Sequence, residues 1–483
     1  MEWLRKFIIA LVTMLIMMIT QLFGQQSNTP LWNLQLCIDY ALKNNIQIKQ
    51  QLLNEEISRQ EVIRNKCSLI PSLNASATQG YNWGRTVDRY TNQFSESQVQ
   101  SNNFYLSSQV TLFNGFQQYN NIRQAQLNMD AAKFDSKKYQ NDIALGIATA
   151  YLNVLFSKSL VENALIQKQT TEVQLLRTKK MVDAGALPEL NLLNIEAQFA
   201  SEDLQLTNYE NQLTLAYLTL TQMLDIKVLD GFNIEIPTIT VKGRPEMILT
   251  PMDIYKTALT KMPEIQAAEI RERVAYKGIQ IARSGFSPSL TLQGSLGTGY
   301  SNGSKEVLSI EPNGTQLIGY VDGTMQQVLA PAFTYNYATK SFENQINDNL
   351  NKSLSFNLSV PIFNGYQIRS SVNRAKINYQ ITQYNTELQK NQLYKSIQQA
   401  HSDAQAALKK YYAAEKAVTA YQSAFNMIDQ KYTLGSASFY EFSDAKSKYS
   451  KAVNDFIQAK FDYIFKTKII DFYLGNQIDL NNQ

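Results

Sequence analysis

Two hydrophobic periods share this chain. In residues 72–83 the odd positions are Leu73, Ala75, Ala77, Gln79, Tyr81 and Trp83, and the even ones are Ser72, Asn74, Ser76, Thr78, Gly80 and Asn82. In 103–113, Phe104, Leu106, Val110 and Leu112 oppose Ser107, Gln109 and Thr111. Leu290, Leu292 and Leu296 alternate with Ser289, Thr291, Gln293 and Ser295, and Leu354, Phe356, Leu358, Val360 and Ile362 with Ser353, Ser355, Asn357 and Ser359. A period of two is that of a strand with one apolar and one polar face. It predicts four strands, at about 72–83, 103–113, 289–297 and 353–363. Segments of about ten residues suit an outer-membrane barrel, although a soluble antiparallel sheet with one wet face gives the same alternation.

Most of the remaining chain steps by three and four. Residues 32–66 read as helix up to Pro71. Residues 116–184 contain one Gly (Gly146), and 366–434 contain no Gly and no Pro. The second stretch alone would make a helix about 100 Å long, the scale of a bundle or coiled coil with a wet face. Gly185 and Gly435 are natural left-handed stops. Second helices follow over Pro188–Met223 and Phe439–Tyr473, with Pro188 suited to a first helical turn. Each pair predicts a long helical hairpin whose tip is the Gly.

The pattern occurs twice. Val110–Asn128 (VTLFNGFQQYNNIRQAQLN) and Val360–Asn378 (VPIFNGYQIRSSVNRAKIN) share Phe-Asn-Gly at an offset of 250 residues, and Gly185 and Gly435 keep that offset. Upstream the offset is 217 (Pro71 to Pro288), so the second copy carries 33 more residues before its Phe-Asn-Gly. Duplication at this scale sets the fold, and a tolerated insertion implies a surface loop. The expected layout is 1–24 signal peptide, 25–224 first repeat, 225–251 connector, 252–475 second repeat and 476–483 disordered tail. The segments 84–102 and 297–349 are rich in turn signals, such as Pro312-Asn313-Gly314 and Asp322-Gly323, and read as polar loops.

Composition narrows the function. A net charge of +4 gives no case for nucleic acid. One His (His401) and two Cys (Cys37, Cys67) leave little for a His- or Cys-based metal site, and the two thiols could be free or bridged. No cofactor motif and no catalytic constellation is present, so an enzyme is not expected. Arg5-Lys6 precede an apolar run to about Phe23, with Gly24 as a small residue before cleavage, which reads as an export signal rather than an uncleaved anchor. No later run has the ~18 consecutive apolar residues of a spanning helix, so any crossing falls to strands. Four strands cannot close a barrel of useful width, and open edges cannot sit in lipid. If these strands span a membrane, several chains must share one barrel. Tyr81, Trp83, Tyr105 and Tyr300 read as aromatics near strand ends, where membrane interfaces place them. Glu441 and Asp444 lie three apart beside the second tip. In a ring of chains they would stack as acidic rings that favour cations; they also suit an ordinary helix start.

Signal, duplicated halves, Phe-Asn-Gly strand ends and Gly tips together resemble the TolC-type outer-membrane efflux and export channels, over about Leu31–Gly475. The resemblance implies a mixed α/β membrane protein: a homotrimer in which four strands per chain build a shared 12-stranded barrel above a periplasmic helical tunnel. It implies a passive exit duct in the outer membrane of a Gram-negative bacterium, opened at its tips by a periplasmic adaptor coupled to an inner-membrane pump. Gly185, Ala186, Leu187, Gly435, Ser436 and Ala437 then fall on adaptor-contacting tips, Glu441 and Asp444 on selectivity rings, and Tyr432 on the gate. The family's charged gate pair is replaced here by Asn191 and Ala437, so closure is expected to use other contacts, such as Tyr432 with Asn191. A type I protein-secretion duct is the sister reading. An exported coiled-coil interaction or adhesion protein without a pore is the alternative of another class.

Overall fold

The computed structural model describes residues 31–87, 92, 94–95, 98–227, 232–237 and 249–476. The expected signal peptide, most of the connector and nearly all of the tail lie outside them. The chain forms two compact units, one from residues 1–57, 130–270 and 383–483, the other from 58–129 and 271–382.

The second unit holds the sheet: β1 (Ser72–Asn82), β4 (Val99–Asn114), β5 (Ser289–Ser301) and β8 (Asn351–Ser359), antiparallel in the order β1-β4-β5-β8. Its register places Ala75, Leu106 and Leu296 in one row, and Ala77, Phe104 and Thr298 in the next. Leu292 lies opposite Phe356, and Leu290 opposite Leu358. Directly paired residues share a face, so one wall is mostly apolar, with Lys352 opposite Leu296 and Gln79 opposite Asn102 toward one end. The other carries Asn74, Ser107, Ser295 and Ser353 in a row, where the Ser295 and Ser353 hydroxyls bond at 2.7 Å. On β8, Leu354, Phe356 and Leu358 are each about two-thirds exposed. The apolar wall therefore has no cover on this side. Strand β8 stops at Ser359, short of the expected 363, because Pro361 has no N–H to give a ladder.

Residues 297–349 are not the loop their turn signals suggested. They contain β6 (Lys305–Tyr320), β7 (Gln327–Thr339) and a short helix, Phe342–Asp348. Pro312-Asn313-Gly314 is a bulge inside β6, with a register shift between Pro312 and Thr315 and Gly314 at φ +74°. Only Asp322-Gly323 belongs to the connecting turn. A further pair of two-residue strands, β2 (Thr86–Val87) and β3 (Phe94–Ser95), lies between β1 and β4.

Both Phe-Asn-Gly segments turn strand into helix by the same device. Gly115 and Phe116 sit at φ +64°, and Gly365 and Tyr366 at +59° and +70°. Two successive left-handed residues reverse the chain, and Gly supplies the first without Cβ strain. The copies differ in crowding. A Cβ on Gly115 would lie 2.5 Å from Ser287 Cβ, whereas one on Gly365 would meet nothing within 4 Å.

The helices are α1 (Leu34–Asn44), α2 (Ile46–Cys67), α3 (Gln117–Asp183), α4 (Glu189–Met223), α5 (Pro251–Lys261), α6 (Pro263–Ser284), α8 (Gln367–Thr433) and α9 (Phe439–Tyr473), with α7 the Phe342–Asp348 turn. At 67 residues each, α3 and α8 are about 100 Å long. The single helix expected over 32–66 breaks at Asn45, whose Oδ1 accepts the N–H groups of Gln47 and Ile48 and starts a second helix. Pro263 marks the matching break in the other repeat.

The core of the first unit shows the duplication in its packing. One buried cluster contains Cys37, Ala41, Ile147, Val154 and Leu220. Another contains Ile254, Ala258, Ile397, Ala404 and Ile470. These are the same five positions in the two repeats, at the offsets of 217 and 250. Each full burial of an Ile, Val or Leu in these sets is worth about 1.5–3 kcal/mol. Helix α3 includes a stretch long and apolar enough to cross a membrane, and its Ile147, Tyr151, Val154 and Leu155 are buried in this packing. Both cysteines are free. Burial pushes the Cys37 thiol up to about 12, which keeps it protonated and inert.

Helix ends depart from the repeat at one informative place. Gly475 ends α9 at φ +74°, and its equivalent after α4 is Asp225 at φ +56°. Asp225 bears that strain while its Oδ2 accepts the Ile46 N–H at 3.0 Å and caps α2. Gly475 instead leaves room for Lys261, whose Nζ donates to the Leu474 carbonyl at 3.0 Å.

Candidate functional site

Both hairpin tips lie in the first unit, and they are built alike. Gly185 N–H donates to Val182 O and Ala186 N–H to Met181 O; Gly435 N–H donates to Tyr432 O and Ser436 N–H to Lys431 O. These are Schellman stops, with both glycines left-handed at φ +71° and +75°. Neither has anything within 4 Å of a built Cβ, so conformation alone requires the Gly. Ala186 and Ser436 are exposed, and Leu187 and Ala437 half-buried. Sequence reading missed the apolar residues around them. Leu190, Leu193, Leu434 and Tyr440 stand exposed at the two tips, more apolar surface than a solvated turn needs.

Asn191 and Glu441 occupy equivalent positions six residues past their tip glycines. Asn191 is half-buried, and its backbone N–H donates to Pro188 O at 3.0 Å. Glu441 closes a capping box. Its Oε2 accepts from Ser438 N (2.8 Å) and Ser438 Oγ (2.9 Å), while Ser438 Oγ accepts from Glu441 N (3.2 Å). Those bonds hold its carboxyl below the usual carboxylate range. Asp444 pairs with Lys448 at 2.7 Å one turn on. The two carboxylates are exposed and share the first turns of α9, yet each has a local partner within its own helix.

Tyr432 is held within its own chain. Its ring stacks on Phe442 at 4.7 Å between centroids, and its hydroxyl bonds the buried Thr178 of α3. Burial pushes the phenol up. Phe442 meets Phe425, which lies flat on Tyr449 at 5.7 Å. Tyr432, Phe442, Phe425 and Tyr449 thus zip α8 to α9.

Toward the tips the seam between the two hairpins is polar. Near the tips, Arg177 Nη2 donates to Thr433 O at 3.1 Å and Gln174 Nε2 to Asp429 Oδ1 at 3.5 Å. Farther along, Lys446 of α9 is 3% exposed and faces Glu202 of α4, 14% exposed, at 2.8 Å. Lys446 Nζ also donates to Gln167 O (3.1 Å) and to Thr171 Oγ1 of α3. Thr171 Oγ1 donates to Glu202, which also accepts from Gln198 Nε2 at 2.8 Å. All three Lys donors find oxygens, as a buried ammonium requires. Desolvation still pulls its pKa down, against the raising effect of Glu202. Asn163 Nδ2 to Asn454 Oδ1 (2.7 Å) and Asn454 Nδ2 to Tyr209 Oη (3.3 Å) continue the seam. No single-helix periodicity could reveal this set, because its members sit on three helices.

In the second unit, Tyr81 and Trp83 stack at 6.2 Å at the end of β1, and Trp83 is 73% exposed. Tyr300 closes β5 and packs on Phe342, which also meets Phe104. Tyr105 differs from the expectation. It lies mid-strand, paired with Ser76 and Gly297 on the polar wall, because β4 begins four residues earlier than the alternation in 103–113 suggested. Its ring covers Gly297, where a Cβ would be 3.3 Å away.

A profile of the family described as "Outer membrane efflux protein" matches residues 37–225 and 254–475. The chain is 23% identical to Outer membrane protein TolC of Escherichia coli K12 over 95% of this chain and 86% of that protein. It is 20% identical to the alkaline protease secretion protein AprF of Pseudomonas aeruginosa, over 90% and 82%. Crystal structures of CusC superpose with a TM-score of 0.73 at 15% identity over 92% of both chains. VceC from Vibrio cholerae superposes at 0.70, with 15% identity over 92% and 96%. Matches over both halves, on a chain with an uncovered apolar sheet and paired helical hairpins, lead to one statement: the chain belongs to the outer membrane efflux protein family, the TolC-type channels of the Gram-negative outer membrane.

Proposed function

We infer that the chain works as a homotrimeric, passive exit duct of a tripartite export system. The sheet carries this reading. Strands β1 and β8 are its outer strands, and an apolar wall cannot enter lipid with open backbone edges. Pairing β8 of one copy with β1 of the next removes every edge, and three four-stranded sheets give a closed 12-stranded barrel. The apolar wall then faces lipid, with Tyr81, Trp83 and Tyr300 at its rim. The polar wall, Tyr105 included, lines the lumen.

The tips supply the controlled end. Leu190, Leu193, Leu434 and Tyr440, with Gly185–Leu187 and Gly435–Ala437, form the surface an adaptor would grip. Within each copy the hairpin seam, led by Lys446–Glu202 and Tyr432–Thr178, holds the closed arrangement in place of the charged pair that Asn191 and Ala437 cannot make. Glu441 and Asp444 would ring the entrance. Their local partners make them weaker cation attractors than bare carboxylates. Relatives are named for protein secretion and for pyoverdine export, so one duct architecture serves both cargo classes and the pump selects.

Cross-linking the protein in isolated outer membranes tests the assembly. A ladder ending at three, with discrete conductance steps of the same material in planar bilayers, is expected. A ladder ending at one or two, or no conductance, would overturn it.

A further inference from the structure

The β6–β7 ribbon is the feature the duct does not explain. It fills most of the second repeat's extra 33 residues. Its register separates two faces, apart from the bulged Leu308 and Ile318 and from Val328 opposite Gly319. Val307 pairs with Tyr337, Ile310 with Tyr335, Pro312 with Phe333 and Leu317 with Leu329. On the other face Ser309 pairs with Asn336, Glu311 with Thr334 and Gln316 with Ala330. Asn336 Nδ2 donates to Ser309 Oγ (2.9 Å) and Glu311 Oε1 (3.1 Å), which fixes the polar face. The apolar face has no charged side chain from Val307 to Tyr320 or from Gln327 to Tyr337, yet Val307, Ile310, Leu329, Phe333, Tyr335 and Tyr337 are all exposed. A two-stranded ribbon is marginal alone in water, and an uncovered apolar patch of this extent marks an interaction site.

We propose that the apolar faces of the three ribbons of one channel pack on one another, making an apolar-cored cap or stalk beyond the outer end of the barrel. This rests on the three-copy reading above, and reach makes the case for a second copy as the occupant. Twelve strands ~4.8 Å apart and tilted by ~40° enclose a cylinder about 24 Å across. Each ribbon is rooted three residues past β5 and runs 13 residues or more, about 43 Å. Three such ribbons rooted on so narrow a ring lie within reach of one another, and tethering gives each face an effective local concentration in the millimolar range. Charge argues the same way against an anionic lipid surface, since Glu306, Glu311 and Asp322 leave the ribbon acidic with Lys305 its one cation.

The test uses the full-length protein in outer membranes, with Cys67→Ser to remove the exposed thiol; Cys37 is buried. Tyr335→Cys reports the apolar face and Thr334→Cys the polar face one residue away. A bis-maleimide spanning the ~10 Å between packed sheets should link copies at position 335 several times more than at 334. Equal yields, or rapid labelling of position 335 by an aqueous maleimide, would overturn the proposal. Protection of 335 without cross-linking, with quenching of a probe there by lipid-borne nitroxide, would overturn it in favour of lipid. A native gel of each sample keeps the two claims apart. Loss of the trimer indicts the three-copy reading, whereas an intact trimer without links indicts the ribbon contact.

Discussion

Lys446 is the residue whose removal should disturb the hairpin seam most. At 2.8 Å from Glu202, with an effective dielectric of about 20, the attraction is about 6 kcal/mol. Burying both ions costs several kcal/mol each, so the intact pair adds little net stability. The asymmetry lies in the single removals. Lys446→Met leaves Glu202 charged, largely buried and stripped of its main donor, which should cost about 3–5 kcal/mol. Glu202→Leu should cost a similar amount. The double variant removes both charges and should cost less than either single, which makes the coupling at least about 3–5 kcal/mol, the size of one single loss. Amide exchange along 443–450 of α9 reads the local opening free energy, and closed-state conductance in a planar bilayer reads the tips. Both should worsen in each single variant and largely return in the double. Exchange within ~0.5 kcal/mol of wild type for Lys446→Met, or losses that simply add, would show that the buried pair does not hold the seam.

Other outcomes follow from the same geometry. Glu441 has a lowered carboxyl pKa, so its capping contribution is fully present above about pH 4.5 and is lost as pH falls through the lowered value; the exchange difference between wild type and Glu441→Ala at 438–442 should be clear at pH 6 and gone once Glu441 is protonated. Gly365→Ala should cost about 1 kcal/mol for the left-handed backbone alone, and Gly115→Ala at least twice that because its Cβ meets Ser287; thermal unfolding in detergent ranks them. Leu190→Asp with Tyr440→Ser should abolish adaptor-dependent export in cells while leaving outer-membrane assembly and conductance unchanged, since both side chains are exposed at the tips.

Much of this fold was written in local pattern. Alternation located β1, β4, β5 and β8 because each has one apolar wall, and Gly185 and Gly435 announced their tips because a left-handed stop needs Gly. Signals with two physical meanings misled. Pro312-Asn313-Gly314 is turn chemistry that a bulge also uses, so β6 read as loop. Tyr105 read as a rim residue because only part of β4 alternates. Glu441 could serve a pore or a helix start, and only the position of Ser438 shows how it is engaged. The Lys446–Glu202–Thr171 set was illegible for a different reason: its members lie up to 275 residues apart on three helices, and no one-dimensional period links them.

The central claim is that three copies close one barrel through β8 and β1. Single-particle electron microscopy of the detergent-extracted protein tests it most directly. Threefold density with 12 strands, and β8 of each copy hydrogen-bonded to β1 of its neighbour, is the expected result. A sheet whose β1 and β8 edges remain open, or a ring closed by any other number of copies, would contradict it.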